Sequence, residues 1–325
     1  MFDIIILNYR ALGKLKRCIE SVWRHTRGDY RITVVDNEGG AESREYLSSL
    51  RGVQALFPGE NLGCAAGTNL ALRETDRDYV VLLDDDAQVT WGGLRVLRRK
   101  LEKHSTAAMA ACKVVYPDGR VMSAEYLPRH LKAVGYGEKD LGQRNYTREC
   151  DVVVRTCVLM RRSAIRAIGF FDERFFPGQY EMMDYCLRAR LAGYQVLYTG
   201  AATVKHDHLF RGESFFREME AKFLQKWDEK LKQFPLESSH PADKHLTAAF
   251  THLEKEEFAD AAERFLCAEL LDRRFAQPFH LGFCFYRTGR YQEAFRTYQS
   301  AQRLMPGDAV LHHRLALTYA KMGRF

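Results

Sequence analysis

Two rhythms of apolar and polar positions alternate along the first two thirds of the chain. Short continuous apolar runs at residues 3–7, 31–35, 79–83, 109–116, 151–160 and 195–198 read as strands buried on both faces. Helical periods separate them. Residues 12–24 place Leu12, Leu15, Ile19, Val22 and Trp23 on one face of a helix. Strands and helices in this order predict an α/β fold, a mostly parallel sheet with helices on both faces. Ligands of such sheets sit beyond the carboxyl ends of the strands. Asp36 and the triplet Asp84-Asp85-Asp86 fall at those ends.

Past His208 the pattern turns helical and charged. Residues 215–234 form a helix whose stripe of Phe216, Met219, Phe223, Trp227 and Leu231 is expected to pack on the preceding domain. Residues 235–241 (P-L-E-S-S-H-P) read as a linker. An internal repeat follows: Leu281 and Leu315, and likewise Gly289 and Gly323, are spaced alike, and Phe258, Ala261, Phe265 and Ala268 form a looser earlier copy of Tyr291, Ala294, Tyr298 and Ala301. The run L-G-x-x-F-Y-x-x-G-x-Y-x-x-A-x-x-x-Y-x-x-A ending at Pro306 resembles a tetratricopeptide repeat, in which small residues such as Gly282 let paired helices approach. This organisation predicts domains at 1–210 and 243–325, joined by a helix and linker at 211–242. Because Phe325 falls inside a further repeat, a truncated chain or a continuing array is expected.

Composition narrows the class. The 325 residues are 46% hydrophobic and 28% charged, with a net charge of +7, as in a globular protein. No run approaches a membrane span, and the short apolar start is no signal peptide. The chain is therefore expected to be cytoplasmic, with peripheral attachment at a membrane face as a secondary expectation. Eight cysteines without C-x-x-C spacing read as reduced, buried thiols. The basic run R-V-L-R-R-K-L-E-K at residues 95–103 is expected to be a solvated helix face, attraction to an anionic substrate or membrane being the lesser reading. No nucleic-acid-reading motif accompanies it. Neither a G-x-G-x-x-G turn nor a G-x-x-x-x-G-K-[ST] loop appears, so bound phosphates need another cradle, and a metal on the aspartates is the evident one.

Four stretches in order carry a family resemblance: I-T-V-V-D-N at 32–37, N-L-G-C-A-A-G-T-N at 61–69, D-D-D at 84–86, and the block from Val158 to His206 with G-F-F-D-E and E-M-M-D-Y. Over residues 2–210 they resemble the family 2 glycosyltransferases of GT-A fold, in particular the bacterial rhamnosyltransferase-like branch. That resemblance implies a nucleotide-diphosphate sugar donor and a Mn²⁺ or Mg²⁺ ion that bridges its phosphates and stabilises the leaving group. Asp84 and Asp86 match the outer positions of the family's D-x-D motif, and His206 matches a terminal histidine that joins the metal or diphosphate. Asp36 matches the nucleobase-binding position, and Asn61, Gly63, Gly67 and Asn69 the segment along the nucleotide. Asp85 belongs to the same nucleotide side, Arg188 matches a family arginine that pairs with an acidic neighbour or with the diphosphate, and Asp172 and Glu173 read as structural.

Inverting transfer needs one carboxylate beside the acceptor hydroxyl. The family's usual pattern there is Glu-Asp-x-Asp, but this chain has Glu181-Met182-Met183-Asp184, and a thioether takes no proton. Glu181 is the first choice of base and Asp184 the second. The third possibility is a catalytically impaired nucleotide-sugar-binding scaffold that works through its repeats. The leading expectation is an inverting, metal-dependent transferase whose repeats recruit a protein or saccharide acceptor or a protein partner.

Overall fold

The computed structural model describes residues 2–128, 132–142, 144–207, 213–233, 241–304 and 309–323. The predicted linker at 235–241, apart from its last residue, lies outside these residues, as do His208, Pro306, Phe325 and the side chain of Phe216. The chain divides into two compact units. One comprises residues 1–140 and 144–237; the other comprises 141–143 and 238–325.

The first unit runs β1 (Phe2–Asn8), α1 (Leu12–His25), β2 (Tyr30–Asp36), α2 (Gly40–Ser49), β3 (Val53–Leu56), α3 (Gly63–Arg73), β4 (Tyr79–Asp84), β5 (Ala87–Val89), α4 (Gly93–Lys103), β6 (Ala107–Val115) and β7 (Val121–Ser123). It continues through β8 (Tyr126–Leu127), β9 (Lys132–Ala133), β10 (Thr147–Cys150), β11 (Cys157–Arg161), α5 (Arg162–Ile168), α6 (Glu181–Leu191), β12 (Gln195–His206) and α7 (Glu213–Gln233). The main sheet has the order β10-β12-β6-β11-β4-β1-β2-β3, with β5 on β12 and β7 on β6. Strands β1, β2 and β4 pair in parallel, as the apolar runs predict; β3, which no predicted run covers, adds a further parallel strand beside β2, and β12 runs parallel to β6. The central strand β1 (F-D-I-I-I-L-N) is buried along its whole length.

The sheet is mixed where sequence pattern has no voice. β11 runs antiparallel to both β4 and β6. The apolar run expected as one strand over 151–160 is broken: β11 begins at Cys157, and residues 153–156 leave the ladder. A continuous apolar stretch reads alike as a buried strand or a buried connection. Here the connection carries the buried charges of Asp151 and Arg155, which find partners off the ladder: Asp151 lies 3.5 Å from Arg190 Nε. On α1 the buried stripe is Leu15, Cys18, Ile19 and Val22; Trp23, expected inward, is 42% exposed. Together with Leu47 of α2 and Leu94, Leu97 and Leu101 of α4, this stripe covers one sheet face in a single apolar cluster.

Helix α7 packs as its stripe predicts. Met219, Phe223, Trp227 and Leu231 are buried, Phe223 lies 5.3 Å from the Tyr180 ring, and Trp227 Nε1 donates to Asp184 at 2.8 Å.

The second unit is helical: α8 (Pro241–Glu254), α9 (Phe258–Leu271), α10 (Pro278–Arg287), α11 (Tyr291–Leu304) and α12 (Ala309–Lys321), with each helix packing on the next. A Cβ on Gly282 would stand 2.8 Å from the Tyr298 ring, so the glycine sets how closely α10 and α11 approach. Ala261, Phe265, Ala268, Ala294, Tyr298 and Ala301 are all buried. Two residues past the ends of α8, α10 and α12 stand Glu256, Gly289 and Gly323, each with positive φ (59°, 77° and 64°). The same turn therefore recurs three times, twice with the glycine that the left-handed conformation favours.

Candidate active site

The parallel register brings the ends of three strands, two of them acidic, to one rim, with Asn8 beside Asp36 and Leu7 beside Asp84. β4 stops at Asp84, the chain turns through Asp85 and Asp86, and β5 leaves antiparallel to β12 with Ala87 opposite His206. That pairing carries the histidine to the triplet. One ligand atom each from Asp84, Asp86 and His206 lies within 4.8 Å of the others. His206 Nε2 is 2.6 Å from Asp86 Oδ1 and 3.7 Å from Asp84 Oδ2, while its Nδ1 lies 3.2 Å from the Met122 sulfur. Burial disfavours charge on this imidazole, but the hydrogen bond to Asp86 and the charges of Asp84, Asp86 and Asp85 outweigh it and raise its pKa.

Asp85 points elsewhere, accepting from the Tyr9 backbone N–H at 3.0 Å, which ties the β1–α1 turn to the triplet. Its burial, reinforced by Asp86 and Asp84, pushes its carboxyl up to about 7 against that hydrogen bond. Two cations complete the cluster. Lys14, one turn into α1, places Nζ 3.5 Å from Asp86 Oδ2. Arg155 is nine-tenths buried; its Nη1 pairs with Asp84 Oδ1 and its Nη2 faces Thr68 Oγ1 at 3.4 Å. Among the described residues its Nε has no hydrogen-bond partner. Burial opposes the Arg155 charge, but Asp84, Cys64, Glu181 and Asp85 surround it and hold its pKa up. The available signal was a lone arginine inside the apolar run V-V-V-R-T-C-V-L-M.

Asp36 is buried and accepts from the Asn8 amide at 2.5 Å. A Cβ on Gly39 would lie 2.0 Å from its Oδ1, so only glycine fits above this carboxylate. The segment after it is turned largely inward. Asn61 Oδ1 accepts from the Gly63 N–H at 2.9 Å, and Gly63, at φ +72°, lies where a Cβ would meet the Pro177 carbonyl at 2.8 Å. A Cβ on Gly67 would crowd Leu7 and the Asn37 amide. Asn69 departs from the expectation that its amide lies along a nucleotide. It is buried, donates to Phe171 O and Glu173 Oε1 at 3.0 and 2.8 Å, and accepts from Phe171 N–H at 2.9 Å.

The second carboxylate pair separates in the same way. Glu181 is buried at the first position of α6 and adds its charge to the surroundings of Arg155. Asp184 is fully buried and takes donors from Trp227 Nε1, Arg188 Nε and Lys226 Nζ at 2.8, 2.9 and 2.5 Å. Arg188 also donates to the carbonyls of Ile168 and Phe170 at 3.2 and 2.9 Å. Asp184 and Arg188 thus form an internal brace: of its two expected partners Arg188 takes the acidic neighbour, and Asp184 is drawn away from the expected place of a base, because a carboxylate committed to three donors has little left to accept an acceptor's proton. Met182 and Met183 are buried beside them.

Comparison with known proteins agrees with this architecture. The chain is 30% identical over 211 residues to a pre-mycofactocin glycosyltransferase of Mycobacterium tuberculosis, covering 63% of this chain and 42% of that one. It is 23% identical over 194 residues to the low-salt glycan biosynthesis hexosyltransferase Agl10 of Haloferax volcanii (58% and 61%). It is 22% identical over 236 residues to an N-acetylglucosaminyl-diphospho-decaprenol L-rhamnosyltransferase of M. tuberculosis (63% and 76%). The chain thus spans less than two thirds of the first two relatives. Among solved structures, GalNAc-T7 with UDP, GalNAc and Mn²⁺ superposes with a TM-score of 0.57 at 13% identity, over 78% of this chain and 50% of that one. The mannosyltransferase PcManGT of Pyrobaculum calidifontis, in complex with GDP-Man and Mn²⁺, gives 0.52 at 13% identity, over 99% and 85%. These likenesses establish a GT-A-like fold. The sequence model of glycosyl transferase family 2 matches residues 3–169, the segment that builds β1 to β4 and the acidic rim, and the chain belongs to that family of glycosyltransferases.

Proposed function

We propose that the protein is an inverting, metal-dependent glycosyltransferase that takes a sugar from a nucleotide-diphosphate donor at the rim formed by Asp36, Asp84, Asp86 and His206. The observation that carries this reading is the convergence of two carboxylates and one imidazole within 4.8 Å, a donor set of oxygens and nitrogen suited to Mn²⁺ or Mg²⁺. Asp84 Oδ2, Asp86 and His206 would hold the ion, whose positive charge would offset that of the departing diphosphate. The chain's own cations act in the same sense. Lys14 and Arg155 flank the carboxylates and hold Asp86 and Asp84 in place for an anionic ligand. Asp36, oriented by Asn8, accepts from the nucleobase, and the α3 entrance at Asn61, Gly63 and Gly67 shapes the floor beside it. Glu181, with Asp184 committed elsewhere, is the base that receives the acceptor hydroxyl's proton.

The helical unit, with its recurring turn at Glu256, Gly289 and Gly323, fits a tetratricopeptide-like array that recruits a protein or saccharide acceptor. A relative named for a diphospho-decaprenol acceptor supports a place at a membrane face for the reaction. The buried Met182 at the usual base position favours a second reading, a nucleotide-sugar-binding scaffold without transfer.

Calorimetry with UDP, GDP and TDP, each with and without Mn²⁺, tests the donor site. Binding is expected to require Mn²⁺ and to vanish in Asp86→Ala; unchanged affinity in EDTA removes the metal. Release of free sugar by wild type, and its loss in Glu181→Gln, supports the transferase over the scaffold.

A further inference from the structure

Helices α1 and α4 cover the same sheet face through one apolar cluster, so their outward sides lie together on the surface. Two of the chain's three tryptophans stand there. Trp91, in the turn before α4, is 69% exposed, and Trp23 on α1 is 42% exposed. The Gly92 N–H donates to His25 O at 3.3 Å, the His25 ring meets Trp91 edge-on at 6.4 Å, and the Arg27 guanidinium covers the indole at 5.4 Å. The end of α1 and the start of α4 therefore make one surface. Beyond Trp91, steps of four residues bring Arg95, Arg99 and Lys103, all exposed. The nearby carboxylates are spent on other cations: Glu20 pairs with Arg24 and Glu102 with Arg98. Among the described residues, no carboxylate pairs with Arg27, Arg95, Arg99 or Lys103.

We propose that this face docks on an anionic lipid bilayer. Indole rings favour the water–hydrocarbon boundary, and lysine and arginine are drawn to acidic headgroups. Charge selects this occupant over a second copy of the chain, because a twofold contact would set this unpaired positive charge against itself. The surface also lies off the catalytic rim. β5 runs away from its Ala87–His206 pairing through Val89 opposite Val204, which carries Trp91 clear of the acidic cluster. The inference stands whether or not the proposed transfer chemistry does.

The full chain is mixed with vesicles of phosphatidylcholine alone or with phosphatidylglycerol, followed by sedimentation and by quenching of tryptophan emission with brominated lipid. Binding to the anionic vesicles alone is expected, weakening as salt rises. Arg95→Gln and Arg99→Gln are each expected to weaken it about fivefold. Trp91→Phe should reduce the quenching, the remainder coming from Trp23. Nucleotide affinity and melting temperature should be unchanged in all three variants, which shows that they fold. Equal binding by wild type and both arginine variants, no binding at low salt, or quenching unchanged by Trp91→Phe overturns the proposal. Retention on RNA or on an acidic protein with none on vesicles does so as well.

Discussion

Replacing Asp184 by asparagine separates a brace from a base. The carboxylate is fully buried and receives an indole N–H, a guanidinium and an ammonium at 2.8, 2.9 and 2.5 Å. Asparagine keeps one acceptor oxygen, but its amide turns donors toward a cation and removes the charge that two cations face. Breaking a buried pair costs roughly 3–5 kcal/mol. The Arg188 and Lys226 side chains remain 22% and 20% exposed and regain some water, so the lower end, about 3 kcal/mol, applies. For a unit of this size, that lowers the melting temperature by about 6–12 °C. Calorimetry reads the melting, and nucleotide affinity and transfer are measured on the folded protein well below it. The brace predicts a large fall in Tm with donor binding retained at low temperature. A variant that melts with wild type yet transfers no sugar refutes the reasoning and returns Asp184 to the chemistry.

Arg155→Met is expected to weaken binding of nucleoside diphosphate with Mn²⁺ by about 10–100-fold, the usual loss when a residue orienting a metal ligand is removed. Partial recovery with added guanidinium, read by calorimetry, distinguishes orientation of Asp84 from general damage, and unchanged affinity in the variant contradicts the role. Acidity gives another test. His206 has its pKa raised, so its pairing with Asp86 stabilises the fold below the ordinary histidine value and loses that contribution as pH climbs through the raised value. Asp85, held up to about 7, takes up protons on folding between the ordinary carboxylate range and that value, so its contribution also falls with rising pH. Both protons oppose a cation, and thermal stabilisation by Mn²⁺ with nucleotide should therefore be greater at about pH 8 than at about pH 6; a flat response counts against the site. In the helical unit, Glu256→Gly should raise stability by about 0.5–1 kcal/mol in urea unfolding, since it relieves a left-handed backbone at φ +59°. No gain, or a loss, would mean that Glu256 earns its place through its ion pair with Arg287, 3.7 Å away.

Strands β1, β2 and β4 were readable because they carry unbroken apolar runs, two of which end in acid, as V-V-L-L-D shows, whereas the short V-Q-A-L of β3 has no such run. The antiparallel direction of β11 was not, since direction leaves no mark on composition, and with it went the contact of Arg155 with Asp84, made just before that strand runs back along β4. Lys14 was hidden by the attention that an apolar stripe draws to the opposite side of its helix. Asn69, Asp184 and Arg188 carry the residue types expected of a binding site, and spacing alone cannot tell a side chain that waits for a ligand from one satisfied by a distant carbonyl or by Trp227.

Helix α7 changes where this enzyme can be cut. The family's sequence signature ends at residue 169, and the last strand of the sheet at His206, so either point looks like a natural terminus. Yet Trp227 and Lys226 supply two of the three donors to Asp184, and Phe223 covers Tyr180, the residue that opens α6 just ahead of Glu181. The smallest soluble, competent fragment should therefore extend past Leu231, and shorter pieces should purify as aggregates.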